Sequence, residues 1–141
     1  MPRVAARYGL VPAIAVSAIL FCLFHGLNPG FSVLAAVNLI LVSVLYALIA
    51  YFTDNIWIVC AAHTFWNFTQ GNIFGLEVSG NSGNVTLIHT EVSDNINPLI
   101  SGGSFGPEGG LAVTIASIIG IAIVLVIFRK WLGNRVFSRH I

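Results

Sequence analysis

The chain has 141 residues, of which 57% are hydrophobic and only 8% charged, with a formal net charge of +1 and a mean hydropathy of +0.91. A soluble domain typically carries about a quarter charged residues, and a short chain buries the smallest share of its surface. These figures exclude a soluble enzyme, and the lack of a basic stripe excludes a nucleic-acid partner. Lipid is the solvent that suits most of this chain.

Charges are sparse enough to mark the spans. After Arg3 and Arg7 no charged residue occurs until Asp54, and that stretch is broken only by Gly26-Leu27-Asn28-Pro29-Gly30, a turn with helix breakers. The pattern predicts an all-α polytopic membrane bundle: one membrane domain over 1–141 with about four transmembrane helices, at about 9–26, 31–53, 56–74 and 109–128. At roughly 1.5 Å rise per residue, the first two are long enough for a hydrocarbon core of about 30 Å. Thr53-Asp54-Asn55 is a polar turn that supplies capping side chains for the third helix. An arginine-flanked apolar start also suits a signal peptide. Here, however, no small-residue cleavage site follows, and the turn at 26–30 leads straight into another span.

Between the third and fourth helices lies one long extramembrane loop, 75–108. It is rich in Gly, Ser and Asn and carries four of the five acidic residues, Glu77, Glu91, Asp94 and Glu108. The alternation in Thr86-Leu87-Ile88-His89-Thr90-Glu91-Val92 suits a hairpin arm. Loops of this length are functional or disordered. Arg3 and Arg7 precede the first helix, and Arg129, Lys130, Arg135 and Arg139 follow the last. An even span count brings both clusters to one side. The expectation is a multi-pass protein of a bacterial cytoplasmic membrane, with both termini cytoplasmic and the acidic loop outside.

Polar groups inside spans are costly and mark function or packing. His63, Asn67 and Gln70 fall at helical spacing on one face of the third helix, which should point at the bundle interior or a water-filled cavity. His25 ends the first helix and Asn38 stands alone in the second. Asn38 reads more simply as an interhelical hydrogen-bond contact, His25 as an interfacial residue, and His63 with Asn67 as either a structural pair or chemistry. Cys22 and Cys60 read as small buried hydrophobes, and Cys22 lacks the orienting acid that a Cys–His nucleophile needs. His89 and His140 sit in polar surroundings. Glu108, in Gly106-Pro107-Glu108-Gly109-Gly110, suits the positive end of the fourth helix. Asn67-Phe-Thr and Asn84-Val-Thr match glycosylation sequons, the first of them inside a span.

A neutral imidazole can hold a water or a metal, and an amide can donate to an oxyanion. Two histidines and an amide on facing helices thus make half of a hydrolytic site. The other half, a carboxylate base, is missing from the spans, as is a third ligand for zinc.

Phe21-Cys-Leu-Phe-His25 and His63-Thr-Phe-Trp-Asn67 resemble the Phe-x-x-x-His and His-x-x-x-Asn motifs of CPBP intramembrane proteases, the CAAX-processing, Rce1-like and Abi group. The Asn28-Pro29-Gly30 turn and the segment Gly103-Ser-Phe-Gly-Pro-Glu-Gly-Gly110 match as well, so the resemblance runs from about Tyr8 to Phe128. It implies an intramembrane endopeptidase in which His25 and His63 position water or face a divalent metal such as zinc, and Asn67 steadies the oxyanion. The partners it implies are the lipid bilayer and a peptide or membrane-protein substrate. One motif departs. The family's Glu-Glu-x-x-x-Arg, whose glutamate activates water, is absent, and no Glu precedes Glu77. The chain therefore resembles the C-terminal part of such a protease, impaired without that base. A non-catalytic membrane protein of the same fold, such as a bacteriocin immunity factor or regulatory partner, is the alternative. A small carrier lined by His63, Asn67 and Gln70 is a third reading, weakened by the lack of repeat symmetry.

Overall fold

The computed structural model describes residues 2–83, 85–93 and 95–137, with side chains described no further than Arg129. Its helices are α1 (Pro2–Tyr8), α2 (Leu10–His25), α3 (Val33–Thr53), α4 (Ile56–Asn67), a single turn α5 (Pro98–Ser101) and α6 (Leu111–Phe137). No strand occurs among the described residues; one isolated bridge joins Val78 and Asn81. The all-helical expectation holds. Two helices, α3 and α6, are long and apolar enough to cross a membrane, whereas α2 and α4 have 16 and 12 residues and fall short of that measure.

Local chemistry explains where the elements begin and end. The helix expected over 9–26 starts one residue later because Gly9, at φ 89 and ψ 170, occupies a region that only glycine enters cheaply, and this separates α1 from α2. The Ser32 hydroxyl accepts from the Ala35 amide at the start of α3. At the end of α3 Asp54 turns left-handed, and the Asn55 side chain then accepts from the Trp57 amide to start α4. The helix expected over 56–74 changes winding instead of continuing. After Asn67 the backbone runs as a π-turn over Phe68–Ile73, closing with the Phe74 amide on the Thr69 carbonyl.

Helix α3 is the hub, with α2 along one side and α6 along another. Where α3 meets α6, Gly120 lies against Leu45 and the Thr114 hydroxyl donates to Asn38, while Ala35, Ser43 and Ala47 are buried on α3 and Ser117 on α6. Close approach of backbones through small side chains is how helices associate in lipid. The outer surface stays apolar, with Val11, Phe24, Trp57, Phe65, Ile115 and Ile127 all more than half exposed. Such a surface is suited to acyl chains and not to water.

The described part of 75–108 is folded onto the helix ends. Phe105, fully buried, packs with Ala35 and Leu39 of α3 and against Phe21 and Cys22 of α2. Glycines let the three connecting segments touch backbone to backbone. Gly106, at φ 86, has the Glu77 carbonyl 2.2 Å from where a Cβ would sit, and Gly80, at φ 79, has the Pro29 carbonyl at 2.0 Å. The expected hairpin arm does not form. The amides of Leu87 and Ile88 donate to the Asn72 and Ile73 carbonyls, so this stretch pairs with the π-turn instead of with a second strand. Asp94 and the Asn84 sequon lie outside the described residues, as do His140, Arg139 and the side chains of Lys130 and Arg135.

Candidate active site

A cavity of about 200 Å³ opens between α2, α3, α4 and the start of α6. Phe21, Leu39, Val42, Leu45, Val113 and Ala116 give it apolar walls; Asn38, Tyr46, His63, Trp66, Ser79, Glu108 and Ser117 give it polar points. His63 stands half-buried at the wall between two aromatic rings, with Phe21 edge-on at 5.8 Å and Tyr46 edge-on at 6.0 Å between centroids.

The two sequence-selected histidines share Phe21. His25 lies on the same helical face one turn later, its ring 4.6 Å from the Phe21 ring. Its Nδ1 donates to the Phe21 carbonyl at 2.7 Å, which leaves Nε2 as the atom with a free lone pair. His25 stands beside the cavity and does not line it. Asn67 is one turn beyond His63, its Nδ2 at 3.5 Å from His63 Nε2, and it too lies outside the cavity wall. The Asn67 Oδ1 is buried with no hydrogen-bond partner among the described residues.

Gln70 does not join this face. The π-turn rotates it away, and its Nε2 donates to the Glu77 carbonyl while its Oε1 is left without a partner among the described residues. The expected polar stripe therefore stops at Asn67. The physical reason is the change from α to π winding, which alters the angle per residue.

Asn38 acts as an interhelical clamp. It is 1% exposed; its Nδ2 donates to the carbonyls of Glu108 at 2.8 Å and Gly110 at 2.9 Å, and its Oδ1 accepts from the Thr114 hydroxyl at 2.6 Å. Both donors of that amide go to the segment that carries Glu108, and its oxygen goes to α6.

Glu108 is the functional side chain that sequence reasoning misplaced. It was expected to serve the N-terminus of the last helix, but its carboxylate turns to the cavity. Oε2 accepts from the Ser79 amide and the Ser79 hydroxyl, each at 2.6 Å, and Oε1 accepts from the Trp66 indole at 3.1 Å. Both His63 and Tyr46 lie within its electrostatic reach. The signal in the sequence was a lone acid set among Gly106, Pro107, Gly109 and Gly110, a backbone shaped for close approach. Trp66, one residue before Asn67, is a further residue of the site to which sequence reasoning assigns no role.

A structural zinc site wants four ligands and a catalytic one three. Among the described residues no group of three or more His, Cys, Asp or Glu side chains stands together to hold a metal ion. The described residues do not fit such a centre.

A family model described as "Type II CAAX prenyl endopeptidase Rce1-like" matches residues 1–69, the stretch that holds Phe21, His25, Asn38, His63 and Asn67. No curated protein and no solved structure matches the chain.

Proposed function

The chain belongs to the Rce1-like family of type II CAAX prenyl endopeptidases, and from that premise we propose that it hydrolyses a peptide bond at the membrane. The observation that carries the reading is that His25 and His63, from separate helices, both meet the Phe21 ring beside a cavity. In this reading the bundle is multi-pass, with both termini cytoplasmic, and the substrate is a peptide or membrane protein that enters the cavity from the bilayer.

The chemistry follows from the free nitrogens. With Nδ1 committed to the Phe21 carbonyl, His25 presents Nε2 to a water. His63 presents its ring to the same water from α4. Loss of the water's proton to an imidazole lets the oxygen attack the scissile carbonyl, and the Asn67 amide donates to the oxyanion that forms. The proton then passes from the imidazolium to the departing amine. Glu108 is a poor candidate for the base. Its carboxylate is already engaged by the Ser79 amide, the Ser79 hydroxyl and the Trp66 indole.

The test is cleavage of a prenylated CAAX-type peptide by the protein reconstituted in vesicles. His63→Ala should lower the rate by at least about tenfold at unchanged protein level and thermal stability. A second reading has its own support: His25 and Asn67 stand outside the cavity wall, and Glu108 already accepts three hydrogen bonds. A non-catalytic member of the family, an immunity factor or a regulatory partner, would keep His63 and Asn67 as packing contacts. Alanine at either would then lower bundle stability and leave any cellular phenotype intact, the opposite of what the hydrolytic reading expects.

A further inference from the structure

We propose that the cavity is a cation subsite, which takes the ammonium or guanidinium end of a basic side chain on an otherwise apolar peptide and holds it on Glu108. Ionised carboxylates are expensive to remove from water and are normally paired with a counter-charge. Glu108 accepts three hydrogen bonds, from the Ser79 amide, the Ser79 hydroxyl and the Trp66 indole, yet no Lys or Arg among the described residues forms an ion pair with it. An ionised carboxylate offers about four acceptor positions. Three are occupied, and one on Oε1 stays free at the wall of a mostly apolar cavity.

The remaining wall favours the same occupant. Phe21, Tyr46 and Trp66 bring three aromatic rings to the cavity, and ring faces attract cations, most strongly where water is excluded. At about 200 Å³ the space suits one long side chain and not a folded segment. A lysine or arginine stem would lie along the aliphatic walls with its head at Glu108, next to His63. The identification of the occupant as a substrate side chain rests on the protease reading; the affinity for a cation does not.

Direct binding separates the two. Wild-type protein and Glu108→Gln in dodecyl maltoside micelles are titrated with capped apolar hexapeptides that differ only in carrying Lys, norleucine or Glu at one position. Intrinsic tryptophan fluorescence reports occupancy beside Trp66. Wild type should bind the Lys peptide at least about tenfold more tightly than the norleucine peptide, as a charge-assisted hydrogen bond would give, and Glu108→Gln should bring the two within about threefold. If Glu108→Gln fails to fold, the Lys-to-norleucine ratio in wild type decides alone. A ratio near one in wild type overturns the proposal, as does a Lys preference that survives Glu108→Gln or a Glu peptide that binds as tightly as Lys. Displacement of the Lys peptide by a short-chain phosphocholine at equal affinity would assign the cavity to a lipid headgroup and overturn the peptide occupant. A protein that shows the preference but cleaves nothing defeats the protease reading and leaves the subsite standing. One that cleaves without the preference does the reverse.

Discussion

The buried amide of Asn38 sets what can be asked of single residues in this bundle. Its three hydrogen bonds join the N-terminal third of α3 to both carbonyls that flank Gly109 and to Thr114 on α6. Asn38→Leu keeps the volume but strands two carbonyls and a hydroxyl, and should cost about 1–3 kcal/mol of stability, read as a lower thermal midpoint in detergent. Because Glu108 hangs from this clamp, the same variant should also loosen the Trp66–Glu108 contact and shift the tryptophan emission. Thr114→Val, which removes one bond of the three, should cost less. A midpoint unchanged in Asn38→Leu would mean that the amide is not what joins α3 to α6. The sequence showed Asn38 as a lone polar group in a span and so as an interhelical contact, but the partner was beyond reach. The acceptors are main-chain carbonyls 70 and 72 residues away, and no side-chain pattern announces a carbonyl.

At the scale of elements, helix periodicity was legible and the interruptions were not. The capping residues Ser32 and Asn55 announced α3 and α4 through their side-chain chemistry. The π-turn after Asn67 did not announce itself, because the partners of its carbonyls and of the Gln70 and Asn72 side chains lie in the following connection. That turn removes Gln70 from the face it was expected to share with His63. The connection 75–108 was equally opaque, since its order comes from glycines pressed against distant backbone. Gly106→Ala should therefore destabilise the loop strongly: the residue sits at φ 86, with the Glu77 carbonyl where the methyl would go, and strain of this kind costs about 1–3 kcal/mol. Gly83→Ala, whose nearest neighbour would be 3.7 Å away, serves as the control. Limited proteolysis between Leu76 and Gly106 should quicken in the first variant and not in the second. Equal rates in the two variants would show that backbone contact does not order this loop.

For the molecule as a whole, composition alone separated lipid from water as solvent, and the outward-facing apolar side chains of α2, α4 and α6 agree with it. The candidate site was half legible. His25, His63 and Asn67 stood out as polar groups in apolar runs, and the family model matches the stretch, residues 1–69, that holds them. The cavity and its carboxylate were hidden, because Glu108 belongs by sequence to a loop and by position to the chamber. Helix α4 carries the test of embedding. It has no buried residue and holds the exposed Cys60, while Cys22 is partly buried against Phe105. In vesicles, Cys60 should react with a lipid-soluble maleimide and resist a charged, membrane-impermeant one, with Cys60→Ser removing the signal. Rapid labelling by the charged reagent would place α4 in water.

The central claim is that two imidazoles from separate helices act on one water, and a double-mutant cycle on peptide cleavage tests it most directly. Groups that serve the same step lose their effect together. His25→Ala and His63→Ala should each lower turnover of the reconstituted protein by at least about tenfold, and the double variant should lose little more than either single one. Losses that multiply in the double variant, or rates that fall only as far as thermal stability falls, would contradict it.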